Sequence, residues 1–261
     1  MTTNSHTDSP TDSPAENQTR SLTQRFKEDN WDLHQIAEHA PEGPSRLIRG
    51  EVSRSEYAES LQQEYLHHRA LDEAVGRAID ARPDLAPVVE GTNGRAPAIA
   101  EDLAFFQSLG EPVGDPGTAP PTPGVTRFLE HIGASSNDPM AILGLHYVRT
   151  GATNGNRFVA KKVRAAMDLP ADTDQGTRHL DPWGAEQRPR WMAFKERLDA
   201  LELTPDEQDR CFNAVRSMYV YAINMNASEH RSADALLREF GGGRDKAQFD
   251  RDHAVPAHPA G

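Results

Sequence analysis

The 261-residue chain lacks several features that would place it in a common class of protein. Its single cysteine, Cys211, excludes an internal disulfide and fits a reducing compartment. No apolar run reaches the ~18 residues of a membrane span, and the N-terminus lacks the basic-then-apolar pattern of a signal peptide. Basic residues form no dominant cluster and the net charge is -12, which argues against a nucleic-acid partner. Together these absences predict a cytoplasmic protein with no membrane or nucleic-acid partner.

The residues that are present follow the helical period almost throughout, and no convincing alternating strand pattern occurs. We therefore predict an all-α, single-domain helical bundle. Capping signals stand at Ser21 with Gln24, at Ser53 with Glu56, and at Thr204 with Glu207. The predicted helices are one from Ser21 to before Pro41, then 53–79, 96–109, 122–132, 140–167, 187–201 and 205–229.

Both ends of the chain are poor in residues that build a core. Residues 1–20 are rich in Ser, Thr, Asp and Pro, and residues 231–261 end in a similar stretch after a run of glycines. Such segments bury too little apolar surface to order. We expect a disordered N-terminal tail at 1–20, a helical domain at 21–230 that is a monomer, and a mostly disordered tail at 231–261.

One long predicted helix is weakened in its middle. The segment 150–156 holds nothing larger than Thr or Asn and includes two glycines, each of which costs a helix roughly 1 kcal/mol relative to Ala. Small residues one turn apart allow a flat ligand or another helix to lie on the backbone, and a glycine pair allows the helix to bend. From the residues alone, these two interpretations stand about equal. The residues that share this face are Tyr147, Gly151, Asn154, Gly155 and Phe158.

A histidine on the first helix is the second candidate site. Lys27, Trp31, His34 and Glu38 share one face beside the apolar stripe of that helix. From this segment alone, a hydrogen-bonded histidine at a helix–helix contact is the simpler interpretation of His34.

Together, the N-terminal histidine and the glycine-containing helix resemble the heme oxygenase family. The segments FKEDNWDLHQIAEHA (26–40), RLIRGEVSRSEYAESLQQEYLHHRALDEAV (46–75), HYVRTGATNGNRFVAKKVRAAMDLP (146–170) and RWMAFKERLDALELTPDEQDRCFNAV (190–215) occur in the family's order. The third is similar to the bacterial form of the family's distal helix. The resemblance covers residues 22 to 230.

The resemblance implies a site in which heme is sandwiched between the first helix and a kinked distal helix. His34 would be the proximal iron ligand, Glu38 its carboxylate partner, and Lys27 and Lys195 the partners of the heme propionates. Gly151, Asn154 and Gly155 would form the catalytic distal segment, with Tyr147 and Phe158 beside the cofactor. The implied reaction uses O2 and external electrons to convert heme to biliverdin, carbon monoxide and ferrous iron. Because no nucleotide-binding fingerprint occurs, the electrons would come from a ferredoxin- or flavoprotein-type reductase.

The chain departs from the family pattern at several positions. Ala152 stands where the mammalian-type helix has an aspartate, Asn156 replaces a glycine, and Trp191 replaces one residue of a basic pair. These changes put proton delivery on the distal side in doubt. They support an alternative, a catalytically impaired heme- or tetrapyrrole-binding protein of the same fold.

A further alternative is a di-iron oxidase with a heme-oxygenase-like fold. Glu64 and His67 have the Glu-x-x-His spacing of such sites, and Glu130, His131 and His146 are possible additional ligands. No second Glu-x-x-His follows, so we interpret EYLHHR (64–69) as a solvated helix face. A helical interaction protein without a cofactor is the remaining alternative.

Overall fold

The computed structural model describes residues 20–39, 45–170 and 172–240. The predicted N-terminal tail up to residue 19, the predicted helix stop at Pro41, and the C-terminal tail from residue 241 lie outside these ranges. Within them every regular element is a helix, which confirms the all-α prediction. None of these helices is both long enough and apolar enough to cross a membrane.

Eleven α-helices occur in the described ranges, and two of them, α4 and α8, are 28 residues long. Their bounds are α1 Leu22–Glu28, α2 Trp31–His39, α3 Ser45–Ile48, α4 Arg54–Ala81, α5 Ala86–Val89, α6 Ala96–Ser108, α7 Pro123–Ser135, α8 Pro139–Ala166, α9 Gln187–Asp199, α10 Pro205–Asn224 and α11 Ala233–Phe240.

The capping signals explain where the long helices begin. Ser53 accepts a hydrogen bond from the Glu56 backbone while the Glu56 carboxylate accepts one from the Ser53 backbone, and Thr204 and Glu207 repeat this arrangement. Each box satisfies two N–H groups that would otherwise have no partner at the helix start. The predicted starts of α4 and α10 are therefore confirmed.

The first predicted helix is in fact two helices. The break falls at Asp29 and Asn30, where the buried Asn30 side chain donates a 3.1 Å hydrogen bond to the Phe26 carbonyl. This amide satisfies a carbonyl at the end of α1, while the Asn30 carbonyl accepts from His34 N at the start of α2. The break takes up only two residues, so the helical spacing of apolar residues continues across it. A prediction from that spacing therefore does not detect the break.

The helical domain continues past the predicted boundary at residue 230. Helix α11 places the fully buried Leu236 against Leu33 and Ile36 of α2 and against Val220 and Ile223 of α10. The segment therefore forms part of the core that supports the back of α2.

Helix α8 lies in the centre of the bundle and packs against α4, α7, α9 and α10. Its closest neighbour is α10, because a Cβ atom on Gly144 would lie 2.3 Å from the Cys211 carbonyl oxygen. Any larger residue at this position would push the two helices apart. Gly144 therefore fixes the spacing on which the position of the rest of α8 depends.

Candidate functional site

His34 lies on α2 with its ring held between two aromatic side chains. Trp31 stacks on it with ring centroids 5.1 Å apart, and Tyr219 of α10 meets it edge-on at 5.6 Å. An ion pair between Asp32 and Arg216, 3.4 Å between Oδ2 and Nη2, ties α2 to the same helix. About a third of the His34 side chain, 34 %, stays exposed. The imidazole is therefore fixed in orientation yet reachable from outside.

The two other predicted residues on this face differ in how closely they approach His34. Glu38 lies one turn further along, with Oε1 3.7 Å from His34 Nε2, which is longer than a hydrogen bond. Lys27 is exposed near the end of α1. The structure thus brings a carboxylate near His34 and leaves Lys27 in solvent.

The predicted face of α8 changes from buried to exposed along its length. Tyr147 is only 5 % exposed, and its hydroxyl donates a 3.4 Å hydrogen bond to the Thr23 carbonyl. One turn later Gly151 is half-buried, whereas Gly155 and Phe158 are exposed, Phe158 to 76 %. Tyr147 therefore belongs to the core, and the later residues of the same face form open surface.

The two glycines of this face have different surroundings. A Cβ atom on Gly151 would lie 3.2 Å from Cη2 of Trp191 on α9, so an indole already covers this glycine. A Cβ atom on Gly155 would have no neighbour within 4 Å. The prediction treated both glycines as one platform; the structure leaves only Gly155 open.

Trp191 also determines the surroundings of Lys195. The Lys195 ammonium lies 5.6 Å from the centroid of the Trp191 ring, within cation–π range. The ring of Trp191 also lies 5.2 Å from the ring of Tyr147. The indole therefore contacts Gly151, Tyr147 and Lys195 together. The sequence drew attention to Trp191 only as the loss of a basic residue.

The weakened segment of α8 stays helical, with local hydrogen bonds from its own polar side chains. Asn154 donates a 2.9 Å bond to the Gly151 carbonyl, and Thr153 donates a 2.6 Å bond to the Thr150 carbonyl. Such local bonds satisfy carbonyls that a glycine-rich turn exposes. They also mean that the Gly151 carbonyl already has a side-chain partner. The predicted bend of the helix stays a prediction.

Tyr219 links the two halves of the candidate site, and sequence reasoning missed it. Its ring contacts His34. Tyr219 is partly buried and the nearby Tyr147 is buried, and this burial raises the pKa values of both phenols. Tyr147 in turn lies one turn from Gly151. His34 and Tyr219 are 185 positions apart in the chain, so helical spacing gives no signal of their contact.

The buried half of α8 is anchored by a charged network. Arg149, 1 % exposed, lies 2.6 Å from Asp72 of α4, and its Nη2 donates a 2.7 Å bond to Nδ1 of His146. Because arginine only donates, Nε2 of His146 carries the ring proton and donates to Thr92 Oγ1 at 2.9 Å. Burial, followed by the charges of Arg149 and Arg95, lowers the pKa of His146 well below its ordinary value. Both ring nitrogens are engaged, so this histidine is not available as an iron ligand.

The segment EYLHHR is not the solvated face that the sequence predicted. His67 is 5 % exposed, and both its Nε2 and that of His68 approach Oε2 of Glu64, at 3.3 and 3.2 Å. Phe128 of α7 lies beside His67, with ring centroids 5.6 Å apart. The prediction was wrong because a helix wheel does not show the neighbouring helix that covers this face.

Comparisons with known proteins agree over most of the chain. The sequence model of the family "Heme oxygenase" matches residues 20–229. The chain is 24 % identical to human heme oxygenase 1 over 210 residues, 79 % of this chain and 70 % of that protein. Its fold is similar to that of heme oxygenase from Leptospira interrogans, with TM-score 0.70, 19 % identity, and coverage of 80 % of this chain and 100 % of the other. It is also similar to heme oxygenase-1 from the cyanobacterium Synechocystis in complex with heme, with TM-score 0.69, 16 % identity, and coverage of 85 % and 96 %.

Proposed function

The chain belongs to the heme oxygenase family and is an enzyme of that type, and from this premise we propose which of its residues hold and open heme. Bound heme supplies the iron that activates O2 and is itself the substrate, which is converted to biliverdin, carbon monoxide and ferrous iron. We propose His34 as the axial ligand of that iron.

The residues present fit such a group. A single imidazole is a usual axial ligand of heme iron, and a nearby carboxylate that accepts its second N–H fixes the tautomer. His34 provides the first. Glu38 Oε1 lies 3.7 Å from Nε2 of the same imidazole, so Glu38 provides the second once the ring presents Nδ1 to it and leaves Nε2 to the iron. Trp31 and Tyr219 both contact the ring, one stacked and one edge-on.

The observation that carries the proposal is the open backbone at Gly155. A glycine weakens the interior of a helix. At Gly155 no neighbouring side chain fills the space that a Cβ would take, so packing within the protein does not explain the glycine. A flat macrocycle is able to lie directly on such a backbone, with Phe158 as an apolar border one turn away. Gly151 and Asn154 then belong to the same wall, where Trp191 contacts Gly151.

The edges of the site supply positive charge. Lys27 is exposed at the end of α1 and Lys195 lies over the Trp191 ring, so we propose both as partners of the heme propionates. Tyr147 lies in the core behind the proposed site. Its hydrogen bond to the Thr23 carbonyl fixes the start of the α8 face that continues to Gly155. O2 and electrons from a separate ferredoxin- or flavoprotein-type reductase complete the proposed reaction. The cytoplasmic location and the monomeric state remain predictions.

A hemin titration followed by turnover tests the proposal. Purified protein should develop a Soret band with hemin, and addition of ascorbate or a reduced ferredoxin system under air should convert it to a broad red biliverdin absorption. His34→Ala should lose or shift the Soret band. His131→Ala is the matched control, because His131 is also half-buried on a helix but stacks on Tyr221, at 4.5 Å, away from α2.

Two other outcomes would change this proposal. A stable Soret band that does not decay with either electron donor would favour the impaired heme- or tetrapyrrole-binding protein, an alternative supported by the exposed Ala152 where the mammalian-type helix has an aspartate. Equal spectra for His34→Ala and the wild type would remove His34 as the iron ligand.

A further inference from the structure

Helix α4 carries a cluster of two imidazoles and one carboxylate that heme binding does not use. Glu64, His67 and His68 each offer one ligand atom, and these three atoms lie within 4.8 Å of one another. It is the one such group of potential metal ligands among the residues that the structure describes. We propose that this cluster is a binding site for a divalent first-row transition metal, and that its occupant in turnover is the ferrous iron released from heme. The identity of the occupant rests on the proposed function, whereas the site itself does not.

The distances between the donors match those around a single ion. Ligands bound to one metal at roughly 2.1 Å lie roughly 3.0–3.4 Å apart, depending on whether the geometry is octahedral or tetrahedral. Both imidazole Nε2 atoms already lie at such a distance from Glu64 Oε2, at 3.3 and 3.2 Å. The spacing i, i+3 and i+4 on one helix produces this convergence, because those positions share a face. Only the distance between the two imidazoles has to close.

The chemistry of the donors selects the class of metal. Two imidazoles and one carboxylate with open positions form the ligand set that non-heme proteins use for ferrous iron. Mg²⁺ and Ca²⁺ prefer oxygen ligands throughout, so they do not match this set. Glu64 keeps 40 % of its side chain exposed while His67 and His68 are at 6 % and 17 %, so an ion would enter from the Glu64 side.

The surroundings of the cluster leave its carboxylate to a ligand. The nearby Arg149, whose Nη1 lies 3.4 Å from the His68 carbonyl oxygen, is paired with Asp72 at 2.6 Å. This guanidinium therefore does not compete with a metal for Glu64.

The position of the cluster along α4 places it level with the proposed heme site. Arg54 at the start of α4 bonds the Met167 carbonyl at 2.8 Å, and Asp72 further along bonds Arg149. The two contacts span the same number of residues on each helix, so α4 and α8 run antiparallel in register between them. By this register Glu64 is level with residue 157 and His68 with residue 153. The cluster thus lies level with the segment of α8 that contains Gly155, on the side of α8 where Arg149 meets α4.

The imidazoles of the cluster lack the support that ligating histidines usually have. In the metal-free cluster each imidazole places its Nε2 toward Glu64, and Nδ1 of both His67 and His68 is buried with no hydrogen-bond partner in the described part of the chain. A metal on Nε2 requires the ring proton to be lost or moved to Nδ1, where no acceptor stands. A ligating histidine normally donates its other N–H to a carbonyl or carboxylate. This missing support lowers the affinity, as suits an ion that is passed on.

The site is tested on the heme-free protein, with Co²⁺ as a spectroscopic probe and anaerobic Fe²⁺ by calorimetry. We expect one equivalent to bind, and Glu64→Gln, His67→Gln and His68→Gln each to weaken binding at least tenfold, on the scale of 10–100-fold seen when supporting residues of metal sites change. His131→Gln is the matched control and should bind as the wild type does, as should His34→Ala. Circular dichroism establishes that each variant is folded. Absence of binding by the wild type, or equal binding by the cluster variants, would overturn the site.

The occupant is tested during turnover with a colorimetric ferrous chelator present. Wild-type protein should release biliverdin before chelatable iron, and His67→Gln should abolish that delay while forming biliverdin at an unchanged rate. Equal delays in the two proteins would overturn the role as a site for released iron. If no biliverdin forms at all, the proposed function fails, and the Co²⁺ titration still decides whether the metal site exists.

Discussion

Substitution of Gly155 by alanine should raise the stability of the heme-free protein and lower its affinity for heme. The position is helical, and a Cβ there meets no atom within 4 Å, so the added methyl group causes no clash. Alanine in a helix interior is favoured over glycine by about 0.5–1 kcal/mol, in part because it restricts the unfolded chain. For a domain of about this size that is roughly 1–4 °C in Tm.

The same methyl group opposes heme binding if the macrocycle lies on this backbone. Insertion of an extra carbon into a packed contact costs about 1–3 kcal/mol, which is a loss of roughly five- to 150-fold in affinity. Gly76→Ala on α4 is the matched control, because a Cβ there also has no neighbour within 4 Å. It should give the same gain in stability with unchanged heme affinity. Gly151→Ala should gain less stability, since its Cβ would lie 3.2 Å from Trp191.

Thermal unfolding of the heme-free variants and hemin titrations followed at the Soret band provide both quantities. If Gly155→Ala binds hemin as tightly as Gly76→Ala does, the macrocycle does not touch the backbone at Gly155 and that part of the proposal is refuted. If neither variant gains stability, the reasoning from open space at these glycines fails instead.

Two further predictions concern the buried network of α8. Asp72→Asn leaves the Arg149 guanidinium, 1 % exposed, without its carboxylate and should lower the free energy of unfolding by about 3–5 kcal/mol, measured with urea. The control Glu73→Gln breaks an exposed pair with Arg69 and should cost less than about 1 kcal/mol. Equal losses in the two variants would contradict a buried ion pair at Arg149. Because the folded state lowers the pKa of His146, only the unfolded state takes up a proton on this ring below about pH 6.5. The contribution of His146 to stability is therefore full above that pH and should fall by about 1.4 kcal/mol per pH unit below it. His146→Gln should reduce this slope by one proton, and an unchanged slope would argue against a neutral His146.

Local signals in the sequence were sufficient where a helix end depends on neighbouring residues. The boxes at Ser53 and Thr204 were predicted because both partners lie within four positions of each other. The break between α1 and α2 was missed, since it depends on which carbonyl the Asn30 side chain reaches, and an apolar period does not record that. Leu236 shows the same limit, because its partners on α2 and α10 lie far away in the chain.

The candidate site was predictable only as a set of residues on two helices. Spacing and the family resemblance indicated His34 and the glycines, but not that Trp191 covers Gly151 while Gly155 stays open. Tyr219 gave no signal, since its contact with His34 joins distant parts of the chain. The cluster at Glu64 was misjudged for the same reason, as α7 covers His67 only in three dimensions.

The uneven anchoring of α8 bears on how a product leaves. From Ile142 to Thr150 every residue is buried, and the ion pair to Asp72 fixes this half to α4. The far end is anchored as well, because Val159, Ala160 and Val163 are buried and Arg54 bonds the Met167 carbonyl. Only the stretch between these anchors, from Gly151 to Phe158, turns one side to solvent, and segments with few buried contacts open at low free energy. Cleavage converts a flat, stiff ring into a longer, twisted chain of pyrroles, and this short stretch is the part of the helix that is able to adjust to that change while both ends stay in place.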